Sequence, residues 1–447
     1  MRIPTIPETV RNPVSLLGMA LATATSLVFL ALLLFDLLGY LTNPYVGLLI
    51  FITVPALFVF SLLLIPIGAW WSARRRRAGF EVTWPVIDLS QPRQRAILAS
   101  VLALTLVNVL IVSAAGVGTV HYMERTEFCG QVCHTTMEPE FMAHQVWPHA
   151  QVRCVACHVG PGVGSFIDSK LAGSRQLYHL ITNQVPRPVP TPVRSLGRTS
   201  DTCGGCHAAD RAHGDVPRVI REYANDEVNT ETVSTLQMHV GNPFGGPGAG
   251  IHRHIALDIE YVATDDSRTT IPYVRVLNAP GGVREYVAEG TTSAQISAGT
   301  RRGMDCIDCH NRPAHTTFFT PERAIDSAIA SGRVPRTLAF VRREAVEAVK
   351  ADHPDKAAAD AAIATRLDSF YGARSGTDPA LVRQAIAGIQ DVWSHNIFPS
   401  MRVKWGTYPN HLGHVDTPGC FRCHDDGHKT KDGAVIKQDC ELCHAIQ

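Results

Sequence analysis

All twelve cysteines of this 447-residue chain fall into six pairs, and each pair is followed at once by a histidine. The groups are Cys129/Cys133/His134, Cys154/Cys157/His158, Cys203/Cys206/His207, Cys306/Cys309/His310, Cys420/Cys423/His424 and Cys440/Cys443/His444. Five have the spacing Cys-x-x-Cys-His; the first holds one extra residue. Paired cysteines also suit zinc ribbons and disulfide frameworks. With 20 histidines in the chain, chance puts His after a given pair only about one time in twenty, so six such pairs exclude both. The reading that remains is covalent haem. Two thiols one turn apart form thioethers with the porphyrin vinyl groups, and the next residue turns its imidazole onto the iron. Six haem c groups are expected, and the fold must be organised around them.

Hydrophobic residues make up 45% of the chain and the net charge is +1, so no charge bias points to nucleic acid. The apolar excess lies before residue 121. Residues 15–40, 45–71 and 96–120 each exceed the ~20 apolar residues that cross a ~30 Å bilayer core. The first run is longer than a signal-peptide core and no small-residue cleavage site follows it, so it reads as a retained anchor. Membrane lipid is therefore an expected partner. Arg2 and Arg11 precede the first run, and Arg74, Arg75, Arg76, Arg77, Arg93 and Arg95 separate the second from the third, whereas residues 41–44 carry no basic group. By the positive-inside rule the arginine loop is cytoplasmic and everything after residue 120 lies outside. This gives a multi-pass protein of the inner (cytoplasmic) membrane with its haem region in the periplasm.

The fold class expected is a multihaem cytochrome c: three N-terminal transmembrane helices, then a loop-rich, haem-packed periplasmic region with a small antiparallel β insertion and a helical insertion. Residues 1–78 form a transmembrane hairpin, and 79–120 the cytoplasmic basic loop and third helix. Three motifs crowd into 121–215 with little regular periodicity. Within 216–303, short β-branched and aromatic runs from Ile259, Thr270 and Val283 read as an antiparallel meander. Residues 304–318 carry the fourth motif. Residues 319–400 alternate apolar and charged groups at helical spacing, with a loop at 372–378. Residues 401–447 carry the last two motifs.

Electron-transfer haems take two protein ligands. Six of the 20 histidines follow cysteine pairs, which leaves a surplus near the motifs: His149, His179, His213, His239, His252, His254, His315, His414 and His428. Of these, His149, His252, His254, His315, His414 and His428 are carried as distal ligands, beside the motif residues His134, His158, His207, His310, His424 and His444. Low-spin haems that pass electrons are expected.

Glu127-Phe-Cys-Gly-Gln-Val-Cys-His-Thr-Thr-Met137, placed after an apolar run, resembles the membrane-proximal first haem of the NapC/NirT quinol dehydrogenases. Cys154-Val-Ala-Cys-His-Val-Gly-Pro-Gly, with Ser169-Lys-Leu-Ala-Gly-Ser-Arg-Gln-Leu-Tyr178, resembles that family's second haem and the amphipathic segment after it. The downstream stretches HGDVPRVIREYANDEVNTET, GIHRH, CIDCHNRPAH and WGTYPNHLGH are similar to its longer, ImcH-like members. The resemblance implies a menaquinol site beside the first haem, with a methionine as iron ligand. Met137 matches that position, three residues after His134 where smaller members have two, so His134 and Met137 stand as alternative ligands of the first iron. It also implies that Lys170 lines the quinol pocket, while Gln176 stands where an acidic residue is expected. Arg175 and Asp168 are the other polar groups placed there, because quinol oxidation releases two protons with its two electrons.

The resulting expectation is a hexahaem quinol dehydrogenase that draws on the quinone pool and delivers to periplasmic c-type cytochromes. Two alternatives stand beside it: a terminal reductase with an open haem, and a relay subunit that never touches quinol.

Overall fold

The computed structural model describes residues 12–38, 53–76, 90–132, 134–159, 163–192, 199–207, 214–241 and 250–446. Cys133, His213, Arg77 and the side chain of His134 lie outside this set. The chain divides into two compact units, residues 1–133 and 134–447.

The first unit holds α1 (Pro13–Leu37), α2 (Val54–Arg76) and α3 (Pro92–Met123), followed by a π-helical turn, Phe128–Val132, that carries Cys129. Within α1 and α2, Val14–Phe35 and Val54–Arg74 are 22 and 21 residues long with mean hydropathies of 2.2 and 2.0. At about 1.5 Å rise per residue each covers a bilayer core. Among the described residues, these two helices are long and apolar enough to cross a membrane. They pack through small residues. A Cβ on Gly18 would sit 2.7 Å from the Ser61 carbonyl oxygen, and one on Gly68 2.5 Å from Ser15 Oγ. Ser15 Oγ donates to the Ile65 carbonyl at 2.9 Å, so a polar group between apolar helices is satisfied across the contact. Leu17, Leu27, Leu34, Phe60 and Leu63 point outward. Phe29, Val54, Ala115 and Tyr122 form an inner cluster joined by Phe128 at the edge of the first motif.

The second unit begins with α4 (His134–Gln145), α5 (Cys154–His158), α6 (Val163–Ile181) and α7 (Thr199–Cys203). A stretch with little expected periodicity thus contains a 19-residue helix, α6, whose apolar side chains recur at Ile167, Leu171, Tyr178 and Ile181. Strands β1 (Asp215–Tyr223) and β2 (Glu231–His239) form a hairpin. Next come β3 (Ile259–Ala263), β4 (Tyr273–Val276), β5 (Arg284–Ala288), the short helix α8 (Ser293–Ala298) and β6 (Thr300–Gly303). Helices α9 (Pro321–Ala330), α10 (Val341–Lys350), α11 (Lys356–Gly372) and α12 (Pro379–Asn396) follow, then β7 (His428–Lys429) and β8 (His444–Ile446). Two antiparallel sheets result, ordered β1-β2-β8 and β6-β3-β4-β5-β7. The last motif histidine is therefore itself part of a sheet edge.

Helices α9 to α12 have a conventional core in which Ile325, Val341, Ile363, Leu367, Ile389 and Trp393 are buried. Asp355 and Asp378 accept from Ala358 N and Ala380 N at the starts of α11 and α12, satisfying helix-end donors. The β1–β2 turn plugs into this layer. Asn229 is fully buried and donates to the carbonyls of Arg336 and Leu338 while accepting from Arg342 N.

Candidate haem-binding site

At the regular motifs the backbone winds into one tight turn. His207 N donates to Cys203 O at 2.7 Å, His310 N to Cys306 O at 2.8 Å and His424 N to Cys420 O at 3.1 Å, and the second motif is the whole of α5. A single turn carries both cysteines and presents the histidine next to them, as two thioethers and one axial bond demand. The described cysteines form no disulfide among themselves. Burial pushes the Cys309 thiol up to about 11 and the Cys423 thiol up to about 12.

Each regular motif histidine faces a second histidine. Ring centres are 6.0 Å apart for His158 and His315, 5.9 Å for His207 and His149, and 6.4 Å for His310 and His252. They are 5.8 Å apart for His424 and His254, and 6.2 Å for His444 and His414. Metal–nitrogen bonds of about 2 Å on opposite faces of one metal, plus about 1 Å from each nitrogen to its ring centre, give about 6 Å. The donor set and its spacing fit a bis-imidazole iron.

The hydrogen bonds sharpen the fit. Nδ1–H donates to a backbone carbonyl in His149 (Pro313), His315 (Glu140), His254 (Ile251) and His424 (Lys437), at 2.9–3.0 Å. That arrangement fixes the tautomer and leaves Nε2 for a metal. His252 and His444 each bury an Nδ1 with no partner. Burial lowers the pKa of His158, His252, His254, His310 and His315, which favours the neutral, ligating form.

His428 is a correction to the expected ligand set. It is buried, its Nδ1 lies 2.8 Å from Asp425 Oδ1, and its Nε2 lies 2.7 Å from the Ile271 carbonyl. With both nitrogens committed, the ring is a brace between β7 and the loop before β4. His239 pairs with Asp215, and His179 sits exposed on α6 against Tyr178. His144, absent from the expected set, is buried 6.1 Å from His315. Its Nε2, however, donates to the Val152 carbonyl, the reverse of the metal-facing orientation. A second layer also escaped sequence reading: Arg312 binds the Glu140 carboxylate at 3.1 Å and donates from Nε to the His315 carbonyl, so it locks the ring opposite His158.

Successive motifs are neighbours. The helices of the second and third motifs, α5 and α7, touch, and α7 touches the 3₁₀ turn of the fourth. After burial itself, the neighbouring motif's thiol helps raise the pKa of Cys157 (from Cys206), Cys203 (from Cys306), Cys309 (from Cys420) and Cys443 (from Cys420). Motifs two to six thus follow one another in space as they do in sequence.

The four residues expected around a quinol do not share a face. On α6, Lys170 lies in a row with Ile167, Leu177 and Ile181, whereas Asp168, Arg175 and Gln176 stand about 120° or more away from it around the helix at 3.6 residues per turn. Apart from Lys170, that row is more than half exposed. Met137 is half-buried on α4.

Residues 91–189 match the NapC/NirT cytochrome c family, N-terminal region. Over 445 residues the chain is 38% identical to the cytochrome c-type protein ImcH of Geobacter sulfurreducens, an alignment that covers 97% of this chain and 88% of that protein. The chain belongs to the NapC/NirT family of c-type cytochromes. No solved structure matches it significantly. Membership gives a NapC/NirT cytochrome covalent haem c, N-terminal apolar helices that anchor it in a membrane, and a part in membrane-linked electron transfer. The family match spans α3, the first two motifs and α6, so the exposed apolar row around Lys170 belongs to the region this chain shares with the family.

Proposed function

We propose that the chain is an inner-membrane hexahaem cytochrome that oxidises menaquinol at the outer membrane face and sends electrons through its haems to periplasmic c-type cytochromes. The observation that carries this is the set of five histidine pairs at bis-imidazole spacing, strung along motifs that neighbour one another in order. In this reading His158/His315, His207/His149, His310/His252, His424/His254 and His444/His414 hold five irons, the twelve cysteines form the thioethers, and His134 or Met137 serves the first. Haem c, when bound, supplies one-electron transfer at a potential set by its axial ligands.

Helix α3 is the third span, with Arg93 and Arg95 at its cytoplasmic end and the first motif emerging outside. The exposed apolar row of α6 suits the membrane surface, where a lipid-soluble quinol arrives. Lys170 is the basic group on that row, and its ammonium donates a hydrogen bond that orients a quinol oxygen while the quinol protons leave to water. Asp168, Arg175 and Gln176, turned away from Lys170 on α6, are left out of the quinol-binding role. The paired histidines disfavour an open-site reductase, because an imidazole already stands opposite each regular motif histidine.

Purified protein in detergent tests the proposal. Six haems per chain, no high-spin haem that binds cyanide, and rapid reduction by a menaquinol analogue are expected. Lys170→Leu slows that reduction by about tenfold or more with all haems retained. A protein that menaquinol does not reduce is a relay subunit instead, and a cyanide-binding haem returns the reductase.

A further inference from the structure

The middle residues of two haem motifs meet in a buried charged cluster. Asp308 is the second intervening residue of the fourth motif and Arg422 the second of the fifth. Arg422 is buried and donates three bonds, all to backbone carbonyls: Nη2 to Asp308 at 2.6 Å, Nη1 to Arg268 at 3.0 Å and Nε to Gly419 at 2.7 Å. The Asp308 carboxylate accepts from Arg268 Nη1 at 2.6 Å, from the Tyr261 hydroxyl at 2.5 Å and from Asp305 N at 2.7 Å. Arg268, Asp308 and Tyr261 are buried too. Nearby His411 adds no charge at neutral pH, since burial and Arg422 hold it at about 4. Two guanidiniums and one carboxylate leave a net positive charge between two porphyrin attachment turns.

The same two sites are joined from the other side. Their facing histidines, His252 and His254, stand two residues apart on one six-residue 3₁₀ helix, Ile251–Ala256. A guanidinium buried against carbonyls alone is expensive, and carbonyl contacts do not require a charge that large. In a low-dielectric setting, a fixed cation beside a redox centre favours the form that holds the extra electron.

We propose that Arg422, Arg268 and Asp308 form a fixed-charge bridge that raises the reduction potentials of the haems at His310 and His424 and couples them, so this pair holds electrons midway along the chain. The inference rests on the haem assignment above. In it Arg422 and Arg268 favour the reduced state and Asp308 opposes them; all three are positioning residues that touch no substrate.

The test is spectroelectrochemical titration of the full-length holoprotein with haem counted in the same sample. Arg422→Gln and Arg268→Met are expected to shift a two-haem component to lower potential, and Asp308→Asn to shift it higher. Arg422→Lys, which keeps the charge but not the fork, stays near the parent. Shifts of one sign in all variants, no shift, or Arg422→Lys behaving like Arg422→Gln overturns the bridge in favour of a structural clamp, as does loss of haem from every variant. Fewer than six haems in the unaltered protein instead removes the assignment on which the inference stands.

Discussion

In the helical layer α9–α12, Ile325, Ile363, Leu367, Ile389 and Trp393 are almost wholly buried in one continuous cluster. From residue 134 to 207, where three motif histidines lie, the buried side chains among those described are Pro139, Ala143, His144 and Thr199. A peptide that buries so little apolar surface by itself does not offset the entropy of its own ordering. The helical layer is a protein core; the motif region is a shell whose core is the porphyrin. The contrast predicts that the two parts respond to haem differently.

The largest effect follows from blocking haem attachment by Cys→Ser changes at all six motifs. Residues 134–207 and 401–446 lose protection against proteolysis, while a fragment spanning α9–α12 survives and far-UV circular dichroism keeps its helical signal. If the helical layer is cut as fast as the motif region, the contrast is gone. The reciprocal experiment is smaller in scale. Trp393→Ala empties a site at 2% exposure and should cost about 3–5 kcal/mol, read as an earlier melting of helical signal with the haem absorption spectrum unchanged below that transition. A haem spectrum altered in the folded variant would mean that the layer positions a porphyrin.

The same division governs what the amino-acid pattern makes legible. The helices over 321–396 and the loop at 372–378 are local consequences of apolar spacing and of caps such as Asp355 and Asp378, and β3, β4 and β5 are local runs of Val, Ile and Tyr. The motif region hides its organisation because its long-range partners are single residues. Nothing near His315 in sequence points to His158, which lies on another element, and only the Glu140 and Arg312 contacts show which ring nitrogen is left over. His428 looks like any other histidine beside a motif until Asp425 and the Ile271 carbonyl are seen to take both of its nitrogens. The scatter of Asp168, Lys170, Arg175 and Gln176 around α6 was within reach: offsets of five and six residues from Lys170 cannot share a helix face. The resemblance supplied positions without orientation.

Acid should separate the sheet from the helices more gently. In the loop between β3 and β4, burial pushes the Asp265 carboxyl up, but bonds from the Ser267 hydroxyl, from Thr269 N and Oγ1 and from Thr270 N outweigh it and leave it at about 2. A carboxyl held below its ordinary value near 3.8 stabilises the fold above that value, and the contribution is lost as pH falls toward 2. In the helical layer, burial raises the Asp326 carboxyl despite its Arg342 partner. Its protonation therefore favours the folded state, and that contribution is lost as pH rises through its folded pKa. Glu322 is lowered by Lys350, but that pair stands in water and counts for little. Between pH 4 and 2, the five-stranded sheet should weaken before α9–α12, visible as amide exchange that accelerates first in β3 and β4. Asp265→Asn should weaken the sheet at neutral pH and flatten its acid dependence, leaving the helical layer unmoved. If both regions exchange together in acid, they share one cooperative unit and the haem-free core is not independent of its neighbours.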